Sequence, residues 1–109
     1  MYKLYVYVPT EYKERVKEAL FSAGAGVLGN YDCCSWEVRG CGQFRPGSGS
    51  APFLGETDRL EVVEEYRVET LVAQEHVATV MEALFESHPY EEPAYEFVRI
   101  LQKDDLIQE

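Results

Sequence analysis

Apolar and polar residues alternate along Tyr2 to Val8, which predicts a strand with Leu4, Val6 and Val8 on one face and Tyr5 and Tyr7 on the other. Pro9 ends it. Thr10 is the expected N-cap of a helix from about Glu11 to Ala23, where Val16, Ala19, Leu20 and Ala23 recur at helical spacing. Gly24 and Gly26 close that helix. A second strand is expected from about Asn30 to Phe44. The run Arg45 to Pro52, rich in glycine, serine and proline, follows as a loop. A third strand spans about Arg59 to Val72, with Leu60, Val62, Tyr66, Val68 and Thr70 on one face and Glu61, Glu65, Arg67 and Glu69 on the other. Glu64 falls among the apolar positions, which predicts a bulge or bend between Val63 and Glu65. The second helix covers about Gln74 to Ser87 and buries Val77, Val80, Met81, Leu84 and Phe85, until His88-Pro89 stops it. A fourth strand runs from about Ala94 to Leu101. The acidic tail from Lys103 is expected to be short and mobile, or packed on a neighbour.

The tetrapeptide Glu-Ala-Leu-Phe occurs at Glu18 to Phe21 and again at Glu82 to Phe85. At the same offset Val8 aligns with Val72, Glu11 with Glu75, and Val16 with Val80. Each copy is an extended stretch, a helix and a second extended stretch, so one supersecondary unit is present twice. Two such units give βαββαβ: an α+β, ferredoxin-like antiparallel sheet with both helices on one face and a long hairpin between strands two and three. Because Tyr5, Tyr7 and Leu71 lie opposite the core-facing positions, the second sheet face carries large apolar groups, which points to a homo-oligomer.

The chain has 109 residues, the size of a single domain over residues 1–109, and an apolar fraction of 46%. Its first strand starts by Tyr2, which leaves no room for a leader, and no apolar run is long enough to span a bilayer, so the expected location is cytoplasmic. Twenty acidic residues against 10 basic ones give a formal net charge of -10, a surface that repels a phosphate backbone and argues against nucleic acid as a partner. Cys33, Cys34 and Cys41 match neither a zinc spacing nor a redox CxxC pair. Read as strand neighbours, Cys33 and Cys34 point to opposite faces and cannot grip one metal together.

Four segments could carry chemistry. Gly24-Ala25-Gly26-Val27-Leu28-Gly29 satisfies GxGxxG, but it follows a helix and leads into a strand, the reverse of a dinucleotide fingerprint, so it reads as a helix end. His88-Pro89-Tyr90-Glu91-Glu92-Pro93 puts an imidazole and two carboxylates in a loop held by two prolines. It reads either as a divalent-metal site using His88, Glu91 and Glu92, or as a structural turn in which Tyr90 packs over the chain reversal. Gly40 to Gly55, with Gln43 and Arg45, could wrap an anion in backbone N–H groups or serve as a hairpin arm in subunit contacts. His76 has no partner suggested by sequence and reads as a boundary residue. No arrangement of serine or cysteine with histidine and acid suggests a nucleophile.

Several runs, in order, resemble a known family: Gly29-Asn30-Tyr31, Gly40-Cys41-Gly42-Gln43-Phe44-Arg45-Pro46, Pro52-Phe53-Leu54-Gly55-Glu56, and His88-Pro89-Tyr90-Glu91-Glu92-Pro93-Ala94-Tyr95. They are similar to the CutA/PII-like domain inserted in some Nif-three-like proteins, and the His-Pro-Tyr-Glu turn is similar to one in CutA. The resemblance implies a ferredoxin-like fold and a homotrimer. It implies no activity, because the dinuclear metal site of those proteins lies on a flanking domain whose ligands have no counterpart here. The expected function is therefore a non-catalytic binding or regulatory module for a small ligand. The alternatives are a divalent-metal binder at His88, Glu91 and Glu92, and an enzyme whose site forms between subunits.

Overall fold

Both repeats fold as the apolar periodicity dictates. In the computed structural model, which describes residues 1–107, strand β1 (Tyr2–Pro9) leads through a 3-10 turn (Thr10–Tyr12) into helix α1 (Lys13–Ser22). Strands β2 (Ser35–Phe44) and β3 (Glu61–Val72) form the central hairpin. A second 3-10 turn (Gln74–His76) opens helix α2 (Val77–Ser87), strand β4 (Tyr95–Arg99) follows, and a short helix α3 (Lys103–Leu106) comes last. The match between the repeats thus extends to the 3-10 turn that starts each helix. All pairings are antiparallel and the strand order is β2-β3-β1-β4. This is the α+β, ferredoxin-like arrangement.

One cluster forms the core. Leu4, Val6 and Val8 of β1 and Val68 and Val72 of β3 meet Val16 and Leu20 of α1 and Val80 and Leu84 of α2, and none is more than 1% exposed. Because both helices contribute to the same cluster, both cover the same sheet face. The leucine of each Glu-Ala-Leu-Phe copy is fully buried. Phe85, expected inside, is 49% exposed: it stands at the rim of the stripe and sets its edge against the Tyr95 ring, 5.5 Å between centroids. Helix α1 is also tied to the sheet by charge. Lys13 and Lys17 converge on Glu37 of β2 at 2.5 and 2.9 Å, and Lys13 lies 4.0 Å from the centre of the Tyr66 ring. Those hydrogen bonds hold the Glu37 carboxyl below its ordinary range and raise the Lys13 ammonium.

Three local expectations are corrected. Thr10 does not cap α1; its hydroxyl donates to Glu64 Oε1 at 2.9 Å. The same bond explains how Glu64 sits on the apolar face without a bulge, since the β2–β3 register runs unbroken from Ser35↔Thr70 to Phe44↔Glu61. Strand β2 begins at Ser35 rather than Asn30, because Cys33 adopts a left-handed backbone (φ 54°) and Leu28 and Tyr31 close a small bridge before it. Cys33 and Cys34 are therefore not strand neighbours. All three cysteines are free thiols. The tail from Lys103 forms α3, fastened by reciprocal hydrogen bonds between Gln102 and Asp105; its last two residues lie outside the described ones.

Gly24 and Gly26, the start of the GxGxxG run, terminate α1. Gly24 has φ 113° and Gly26 φ 84°, values that L side chains rarely adopt, and the Ala25 N–H returns to the Leu20 carbonyl at 3.0 Å. The hairpin outruns β1, which pairs with β3 only as far as Pro9↔Glu65. Glu61 to Glu64 are paired to β2 alone and project as an arm, in a molecule measuring 56 × 24 × 24 Å.

Candidate functional site

The base of this arm meets the turn after α2. Pro89 takes the chain out of α2, with His88 already extended (φ -77°, ψ 136°), and the turn crosses the end of β1. His88 is 6% exposed. Its Nε2–H donates to the Tyr7 carbonyl at 2.7 Å, and its Nδ1 accepts the Tyr90 N–H at 3.2 Å. That pair of bonds defines a neutral imidazole. Burial lowers the His88 pKa against the opposing effect of the Tyr7 carbonyl. Both ring nitrogens are committed to the backbone, so the histidine fastens the turn to β1.

Tyr90 then points back over the sheet. Its hydroxyl donates to Glu65 Oε2 at 2.8 Å, and burial followed by the Glu65 hydrogen bond pushes its pKa far up, so it remains a phenol. The ring lies 5.8 Å from Phe44 and 6.4 Å from Phe53, between the end of β2 and the loop beyond it. Phe53 in turn meets Tyr12 edge-on at 5.4 Å. The loop from Arg45 to Leu60 is braced by Asp58 N–H on the Pro46 carbonyl at 2.7 Å and by Ser50, which bonds the Gly47 carbonyl. Across the gap, Ala51 N–H donates to Glu91 Oε1 at 3.0 Å.

These contacts enclose an open-sided pocket of about 310 Å³. Its walls are Phe44, Phe53 and Tyr90, its floor includes Glu65, and Gln43, Arg45, Glu91 and Glu92 lie around it. Two sequence segments considered separately, Gly40 to Gly55 and His88 to Pro93, thus form one site. Glu65 went unrecognised, because a contact spanning 25 residues leaves no local periodic trace. One signal was available: Gly42, a glycine inside a strand, marks a place where something lies close over the backbone. A β-carbon on Gly42 would collide with the Glu65 carboxylate.

The proposed metal ligands are placed differently from what a coordination site requires. His88 is saturated by hydrogen bonds, Glu91 accepts from Ala51, and Glu92 is exposed. Among the described residues no three histidine, cysteine, aspartate or glutamate side chains group in a way that could hold a metal ion. His76 packs its ring against Gly24, between the two repeats.

Comparison with known proteins agrees with the architecture. No family model matches the chain. It is 42% identical over 107 residues to a GTP cyclohydrolase 1 type 2 homolog of Halalkalibacterium halodurans, and 46% identical over 100 residues to the Bacillus subtilis protein of the same name. Those alignments take in 98% and 92% of this chain but only 29% and 27% of the relatives' length. A solved Bacillus cereus protein related to NIF3 superposes with TM-score 0.77 at 39% identity, over 89% of this chain and 24% of that one. Homology to one segment of the NIF3-related proteins is thus evident in sequence and fold alike. The divalent cation tolerance protein CutA from Archaeoglobus fulgidus shares the fold over 94% of this chain (TM-score 0.64), at 18% identity. No helix among the described residues is long and apolar enough to cross a membrane.

Proposed function

We propose that the chain is a non-catalytic binding module whose ligand enters the pocket between the hairpin loop and the His88–Pro93 turn, and that it works as a homo-oligomer, a trimer by its resemblance to CutA. The observation that carries this reading is the convergence of two distant segments on one aromatic-walled pocket at a rigid sheet end. Concave sites with apolar walls and a few fixed polar groups are the usual form of a small-molecule site. Tyr90, held at its backbone by His88 and at its hydroxyl by Glu65, is preorganised rather than mobile, which limits the ordering cost of binding. The relatives' name refers to proteins more than three times as long, so the reaction it describes is not transferred to this segment. A thermal-shift screen of small molecules, with hits located by amide chemical shifts, tests the assignment. Hits should raise Tm, because a ligand bound only by the folded state stabilises it, and should perturb Gly47, Ser50, Glu91 and Glu92. Perturbations confined to other surfaces, or turnover of a bound compound, would overturn it.

A further inference from the structure

Resting on that pocket reading, we propose that the site selects a small organic cation, an amine or quaternary ammonium, with Glu65 as its counter-ion. Of the half-buried carboxylates of the sheet, Glu61 and Glu65 have no ion pair among the described residues, and of these two Glu65 lines this pocket. Glu37 is paired with Lys13 and Lys17, and Glu69 with Lys3 and Arg67. Glu65 has no basic side chain within 4.0 Å among the described residues. Its Oε2 accepts the Tyr90 hydroxyl, and its other oxygen lies against Gly42, in space that a side chain there would fill. A partly desolvated carboxylate without a counter-charge is costly, and a cation arriving from solvent would satisfy it.

The surroundings favour the same class. Phe44, Phe53 and Tyr90 supply three aromatic rings to the lining, and the quadrupole of an aromatic ring attracts cations, most strongly when water is excluded. Glu91 and Glu92 add negative charge against Arg45, the one basic residue of the lining, and the whole chain carries -10. An anion would face this field unfavourably. A volume of about 310 Å³ suits a small amine rather than a polymer.

Titration calorimetry with tetramethylammonium, against sodium at equal ionic strength, tests the proposal on the whole chain. Saturable binding that weakens with added salt is expected. Glu65→Gln keeps an acceptor for the Tyr90 hydroxyl while removing the charge, and should weaken binding about tenfold or more, the scale of a charge-assisted contact. Arg45→Gln removes the one positive charge of the lining and should tighten binding. Circular dichroism and Tm of the unliganded variants report whether each is folded. Binding of pyrophosphate instead, lost in Arg45→Gln and kept in Glu65→Gln, would overturn the cation class while leaving the pocket intact. Tetramethylammonium binding insensitive to Glu65→Gln would overturn Glu65 as the counter-ion, and the chemical-shift mapping above then decides the pocket. No response to tetramethylammonium overturns the cation class, and the chemical-shift mapping above then decides the pocket alone.

Discussion

His88 contributes stability through hydrogen bonds that only its neutral ring can make. Nδ1 must accept from Tyr90 N–H and Nε2–H must donate to the Tyr7 carbonyl, and a protonated ring keeps only the second bond. Burial holds the folded-state pKa below its ordinary value of 6.5, so between that value and the lower folded pKa the unfolded chain binds more protons than the native one. Stability from this group is therefore complete above about pH 6.5 and is lost as pH falls through the folded pKa. Denaturant midpoints measured from pH 7.5 down to pH 5 should fall in the wild type, and the part of that fall due to His88 should vanish in His88→Ala. The variant should also lose about 2–3 kcal/mol at pH 7.5, because the Tyr7 carbonyl and Tyr90 N–H lose their partner in a buried place. A variant of wild-type stability would refute the fastening role, and a divalent-metal-induced rise in wild-type Tm that disappears in His88→Ala would show that the ring is a ligand instead.

At the level of elements, the two strand–helix units were legible because their signals are local. Alternation over Tyr2 to Val8 and the helical spacing of Val16 and Leu20 need only nearby residues, and the second copy repeats them at Val80 and Leu84. What was not legible depends on other parts of the fold. Glu64 looked like a register fault because its partner, Thr10, lies on another element. The start of β2 moved because Cys33 takes a backbone conformation that no pattern of hydrophobicity encodes. The pocket was half legible: its loops stood out by composition, while the Tyr90–Glu65 contact that joins them did not. The junction between the repeats gives a direct test. Gly24 has φ 113°, and a β-carbon there would sit 2.7 Å from the His76 ring. Gly24→Ala should destabilise by about 1–3 kcal/mol through backbone strain alone, with the steric conflict added. His76→Ala combined with it should recover the steric part only. Equal stability of Gly24→Ala and wild type in urea unfolding would contradict the proposed role of this glycine as the stop of α1.

For the whole molecule, the decisive asymmetry is between the two faces of the sheet. One face is sealed by α1 and α2. The other carries Trp36 and Val38 of β2, Tyr5 and Tyr7 of β1, Leu71 of β3 and Val98 of β4, and neither α1 nor α2 covers it. Trp36 is 59% and Val38 40% exposed, although β-branched and aromatic residues at alternating strand positions normally face a partner surface. Arg67 sits in the middle of this face with its Nε buried and without a hydrogen-bond acceptor. A second copy covering the face would bury the apolar residues and could supply that acceptor. Near the centre of the face Lys3 and Arg67 are both paired with Glu69, which offsets part of the charge a second copy would meet. Light scattering at micromolar concentration should therefore give a mass of more than one chain, three by the resemblance to CutA. Val38→Glu should reduce that mass to a single chain while leaving the core-derived circular dichroism unchanged, since Val38 takes no part in the buried cluster. A wild-type protein that is monomeric at such concentrations would refute the oligomer. An oligomer indifferent to Val38→Glu and to Trp36→Glu would place the interface elsewhere, on the projecting arm of β2 and β3.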